Sequence, residues 1–183
     1  MGLQLFNSRG KCVLCHINKG KEPLFTDFTY ANLGVPKNPD NPFYDEDKVL
    51  PDGSVINPLG DGWIDYGLGG FLENAPNHPE WASLATENMG KQKVPTLRNV
   101  DKRPSIDFIK AYMHNGVFKS LEEVVHFYNT RDVEGAGWNG VTWAEPEVAD
   151  NVNTVDVGNL GLTDAEENAI VAFMKTLSDG YRK

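Results

Sequence analysis

The sequence predicts a mainly α-helical domain with few helices and long loops. Three observations carry this. Near the C-terminal end, Thr163-Asp164-Ala165-Glu166 forms a capping-box pattern ahead of Ile170, Phe173, Met174 and Leu177 at helical spacing. A second such pattern, Ser120-Leu121-Glu122-Glu123, opens a single apolar stripe of Leu121, Val124, Val125 and Tyr128. Elsewhere Pro, Gly and Asp punctuate tracts such as Gly34-Val35-Pro36-Lys37-Asn38-Pro39, Leu50-Pro51-Asp52-Gly53 and Gly67-Leu68-Gly69-Gly70, where few regular elements fit. A length of 183 residues suits one domain, residues 1–183, able to bury a core and a prosthetic group.

The chain opens with Gly2 to Asn7, which reads as a helix with Leu3 and Phe6 at i, i+3 and Gly10 near its close. So short a helix is marginal alone. Docking on the last helix would support it, with Gly2 and Phe6 at the contact.

Cys12-Val13-Leu14-Cys15-His16 follows. In a helical turn Cys12, Cys15 and His16 stand at i, i+3 and i+4, so two thiols and an imidazole share one face. That arrangement suits one covalently attached haem c, with thioether bonds from Cys12 and Cys15 and His16 as an axial ligand of the iron. A redox dithiol would call for a βαβ setting, whereas Asn18-Lys19-Gly20-Lys21 and a Pro-rich region come next. Structural zinc would need a second pair of ligands, but the chain has no other cysteine, and His78, His114 and His126 are scattered.

From the haem motif to Val94, Phe25, Phe28, Tyr30, Phe43, Trp63 and Phe71 could supply apolar contact to the ring or ordinary core. A loop this long fits a chain ordered by wrapping something. A short helix is expected over Pro79 to Ala85 and another over Ser105 to Met113, with Ile106, Ile109 and Met113 on one face and Asn115-Gly116 at its end. Residues 130–161, with Trp138 and Trp143, read as a second long loop. The last helix is expected to stop at Asp179-Gly180.

There are 17 basic and 26 acidic residues, a net charge of -9, which makes nucleic acid and anionic membranes poor partners. No stretch approaches the roughly 18 apolar residues of a spanning helix. Met1-Gly2-Leu3-Gln4 has no signal-like character. Thioether-bound haem nevertheless points to the periplasm of a bacterium.

First and last helices crossing beside a CxxCH turn resemble the class I cytochrome c fold. A more specific resemblance comes from an ordered set of stretches. These are Gly10 to His16, Phe25-Thr26-Asp27 with Asn32-Leu33-Gly34-Val35, Val94-Pro95-Thr96-Leu97-Arg98-Asn99-Val100, Tyr112-Met113-His114-Asn115-Gly116, and Ser120 to Val125. Together they resemble the C-terminal haem domain of bacterial dihaem cytochrome c peroxidases and their MauG-type relatives. The resemblance implies an oxidoreductase that reduces hydrogen peroxide or uses it to oxidise a protein. It also implies a second haem domain, upstream or on a separate chain, and a redox protein as donor or substrate.

Residue by residue, the resemblance makes His16 the proximal ligand and Tyr128 the sixth ligand, as in the MauG-type branch, with Met113 and Met89 as rivals. It places His114 beside the haem pocket, while Arg98 could pair with a propionate. An insertion from Asp101 to Ala111 interrupts the stretch that in the family helps bind calcium, so calcium is possible with no ligands named. Set against this enzyme component is a stand-alone monohaem cytochrome that only transfers electrons.

Overall fold

Residues 1–105 and 107–179 are described by a computed structural model. Helix α1 (Gly2–Phe6) is only five residues long, and its support is tertiary, as its length demands. It lies against α4 (Asp164–Met174), whose Thr163 forms the full reciprocal capping box with Glu166. Phe6 is fully buried and meets the Phe173 ring edge-on at 5.2 Å, with Phe25 edge-on at 6.1 Å. The two helices touch where Gly2 has no side chain, since a Cβ there would collide with the Ala169 carbonyl. Gly2→Ala is therefore expected to lower the thermal transition, at a cost of about 1–3 kcal/mol typical of overpacking. An unchanged transition would show that the helices do not meet at this point.

Helix α2 (Gly67–Glu73) forms within a tract read as loop. Asp65 caps its start by accepting from the Gly67 amide at 2.8 Å, and Gly69 lets it lie directly on the Met89 backbone. Glycine is a poor helix former, so composition concealed an element that close packing makes. Pro79–Leu84 is a 3-10 helix rather than an α-helix.

Helix α3 (Leu121–Thr130) starts at Ser120, whose hydroxyl accepts from the Glu123 amide at 3.1 Å. The return arm of this box goes one residue further, with Lys119 N–H donating to Glu123 Oε2 at 2.9 Å. A buried polar joint locks α3 to α4. Glu167 stands 3.0 Å from His126 Nδ1 and accepts from Asn129 Nδ2, which also donates to the Leu162 carbonyl.

The helix expected over Ser105 to Met113 is not formed among its described residues, and Ile106 lies outside them. Tyr112 instead pairs with Phe118, its amide donating to the Phe118 carbonyl at 2.8 Å. Lys110 Nζ reaches back to the Asn99 and Val100 carbonyls, and Ile109 is 72% exposed. Ile109 and Met113, though at helical spacing, do not share a buried face here. Gly180, the other half of the expected stop after α4, is also outside the described residues.

Among the described residues, two small antiparallel strand pairs accompany the helices. Strand β1 (Tyr30–Ala31) pairs with β2 (Gln92–Lys93), closing the long loop between them, and β3 (Gly137–Trp138) pairs with β4 (Val141–Thr142). The second pair turns through Asn139 and Gly140, both at positive φ, the geometry that Asn-Gly favours in a two-residue hairpin. Of the loop aromatics, Phe25 joins the core and Phe43 packs on Trp63 at 4.8 Å, while Phe28, Tyr30 and Phe71 are exposed.

Candidate haem-binding site

A cavity of about 610 Å³ opens between α3, the first turn of the chain and the loop following β2. Its size falls in the range of roughly 300–1,000 Å³ common to cofactor sites. Cys12, Cys15, His16, Arg98, His114 and Tyr128 all line it, as do Leu97, Val124 and Met174. These six polar residues are spread over 117 positions of the sequence; folding brings them to one cavity.

The CxxCH segment enters through Lys11 at φ 53°, then makes a 3-10 turn over Cys12–Leu14. Its last bond is α-like, with His16 N–H donating to the Cys12 carbonyl at 2.9 Å. Both sulfurs and the imidazole therefore stay on one side, as helical spacing implied. Cys12 and Cys15 are not joined to each other. Burial pushes the Cys12 thiol up to about 12, and burial with Asp27 and Asp156 raises Cys15. Thiols kept neutral in this way lack the lowered pKa that makes a redox dithiol reactive.

His16 is prepared as a ligand. Its Nδ1 lies 2.8 Å from the Phe25 carbonyl, an acceptor only, so Nδ1 carries the hydrogen and Nε2 keeps its lone pair. Burial lowers its pKa, favouring the neutral ring that binds metal. Phe25 itself holds φ 54°, a left-handed conformation uncommon for a bulky residue, and thereby turns its carbonyl to the ring.

Tyr128 faces the cavity from α3, its hydroxyl donating weakly to Met113 Sδ at 3.9 Å. The two candidate sixth ligands are therefore neighbours. Met113 occupies φ 66° at the head of a turn closed by Gly116, again a strained position for a side chain of its size. Burial pushes the Tyr128 phenol up, the two cysteines reinforce this, and Arg131 opposes it. Met89 is not in the cavity wall and packs instead beside Gly69. Arg98 lines the cavity, but its guanidinium is engaged elsewhere, with Nε donating to the Pro23 carbonyl at 2.9 Å and Nη1 reaching Asp179 at 3.3 Å.

Loops far apart in sequence close the remaining wall. Arg131 donates to the Leu33 and Asn153 carbonyls, Asn32 donates to Val148 and Asp150, and Lys11 reaches Val155. Arg131 and Glu147 sit in no motif or periodic pattern that marks them in the sequence. Only the Asn-Leu-Gly-Val stretch had drawn notice to the first of these loops. A covalently held haem fits the donors present: two inward thiols, an imidazole with a free lone pair, a phenol and an apolar lining.

No family model matches the chain. Over 178 residues it is 33% identical to the methylamine utilization protein MauG of Paracoccus denitrificans, covering 92% of this chain and 39% of that protein. With the cytochrome-c peroxidase IdrP1 of Denitromonas iodatirespirans it shares 30% identity over 183 residues, again 39% of the relative. Among solved structures, a variant of the dihaem peroxidase BthA from Burkholderia thailandensis matches with a TM-score of 0.64 at 27% identity, over 98% of this chain and 41% of that one. A MauG-like protein associated with microbial copper homeostasis shares the fold, with a TM-score of 0.51 at 22% identity, over 98% of this chain and 43% of that one. The chain thus spans about two fifths of the length of the relatives it matches. Over nearly its whole length the chain is thus similar, in sequence and in fold, to one part of MauG and of dihaem cytochrome c peroxidases.

Proposed function

We propose that the chain is the C-terminal haem c domain of a longer, periplasmic peroxide-dependent oxidoreductase, working with a second haem domain. The observation that carries this is the meeting of Cys12, Cys15, His16 and Tyr128 around one largely apolar cavity. Bound there, haem c would supply reversible one-electron chemistry at its iron. The residues set its terms. Cys12 and Cys15 would anchor the ring; His16, held by the Phe25 carbonyl, would offer a neutral nitrogen ligand, and Tyr128 would offer an oxygen ligand. Oxygen is a harder donor than thioether sulfur, so Tyr128 favours the oxidised metal and suits oxidative work. Val124, Leu97 and Met174 line the cavity and would exclude water from the ring.

Electrons would come from a redox protein or a protein substrate and the oxidising equivalents from hydrogen peroxide. The names of the relatives support the peroxidase assignment over a stand-alone electron carrier. Among the described residues no helix is long and apolar enough to cross a membrane. The packing of α1 on α4 beside the CxxCH turn supports a class I cytochrome c arrangement.

A pyridine haemochrome spectrum, with peroxide consumption by the complete gene product and a reduced donor, tests the assignment. One covalent haem on this domain and peroxide turnover are expected. Covalent haem without any peroxide turnover would favour the simple electron carrier instead.

A further inference from the structure

Beside the cavity stands a buried polar cluster that haem attachment and ligation do not use. Glu147, in the loop after β4, has a side chain only 3% exposed, and its Oε2 has no hydrogen-bond partner. The buried Tyr44 hydroxyl is also unpartnered. Leaving such groups unpaired costs roughly 1–3 kcal/mol each, so their retention calls for a reason. Glu147 Oε2 is 3.8 Å from His114 Nε2, and Asp65 Oδ2 is 3.9 Å from the same nitrogen. Two carboxylates therefore face one edge of a ring that lines the haem cavity. Among the described residues no three His, Cys, Asp or Glu side chains converge to hold a metal ion, so the pair does not form a metal cage.

The backbone around Glu147 is held firmly. Its amide donates to the Val35 carbonyl at 3.0 Å, Pro146 pairs with Pro36, and Asp65 N–H donates to Glu147 Oε1 at 3.3 Å. The turn bearing His114 is tied to the same place. Asn115 Nδ2 donates to the Pro36 carbonyl, and Asn38 Nδ2 donates to the Asn115 carbonyl, both at 2.8 Å. Carboxylate and imidazole are thus referred to one loop, residues 35–38. Burial, then Glu147 and Asp65, push the Tyr44 phenol up, which keeps it a donor beside the two acids.

We propose, resting on the haem assignment of the cavity, that Glu147 is a positioning residue acting through His114. Its Oε2 accepts the Nε2 hydrogen of the ring, fixing both orientation and tautomer, so that Nδ1 is the lone pair offered to groups within the cavity. A carboxylate behind an imidazole is a general means of orienting a ring near a metal. At 3.8 Å the two atoms stand just beyond hydrogen-bond distance, so the bond requires a rotation of the Glu147 or His114 side chain.

The test uses the haem-loaded protein and reads the midpoint potential and ferric spectrum. Glu147→Asp keeps the charge but withdraws the carboxylate by one methylene; Glu147→Gln keeps the reach and an acceptor oxygen but drops the charge. If reach and hydrogen bonding matter, Glu147→Asp changes the oxidised-to-reduced equilibrium about tenfold, or about 59 mV for one electron, while Glu147→Gln stays close to the parent. In a His114→Gln background, Glu147→Asp then has no further effect. The reverse pattern, silence of both variants, or a Glu147→Asp shift that survives loss of His114 overturns the positioning role. A pyridine haemochrome with no covalent haem overturns the cavity assignment and this role together; a normal haemochrome with flat potentials overturns this role alone.

Discussion

Cys12→Ala combined with Cys15→Ala is expected to abolish covalent haem entirely. The chain has no other cysteine, so no third thiol can substitute. Either single variant should keep one thioether and retain colour through acidic solvent extraction, which strips a ring held only by ligation. The thermal transition should fall as well in the double variant, because a tightly held ligand that binds only the native state stabilises it by mass action. Haem surviving extraction in the double variant would contradict attachment at this turn.

Tyr128→Phe is expected to change the ferric spectrum and to move the oxidised-to-reduced equilibrium at least tenfold toward the reduced form. The phenylalanine keeps the ring and the packing on α3 but removes the oxygen donor. Met113→Leu should leave the spectrum as it is, even though Met113 Sδ lies only 3.9 Å from the Tyr128 hydroxyl. That adjacency makes the pair informative. In Tyr128→Phe the neighbouring Met113 thioether is the donor left in reach, and a methionine-ligated product has a spectrum of its own. An unchanged spectrum in Tyr128→Phe would reduce Tyr128 to a residue of the cavity wall.

Helices α3 and α4 were legible because their signals are local: capping residues three apart and apolar residues on one face. The CxxCH turn was legible for the same reason. Helix α1 was legible only from the spacing of Leu3 and Phe6, yet Leu3 is exposed and Leu5 is buried with Phe6 instead. Helix α2 was hidden because glycines at 67, 69 and 70 argue against a helix locally, and what sustains it is contact with the Met89 backbone, twenty residues away. The segment before Met113 misled in the opposite direction. Its apolar spacing suited a helix, but Tyr112 pairs with Phe118 and Ile109 faces solvent. Glu147 gave no local sign at all, since its significance lies in burial without a partner, which only folding creates.

The bonds that close the cavity wall also bear on the order of assembly. Arg131 to Leu33 joins residues 98 apart in sequence, Asn32 to Val148 spans 116, and Lys11 to Val155 spans 144. The thiols, by contrast, are complete within the first sixteen residues. In a chain that emerges from its N-terminal side, Cys12 and Cys15 are presented while most of the wall does not yet exist. Thioether bonds made on that open chain would leave the later residues to fold around a ring already in place.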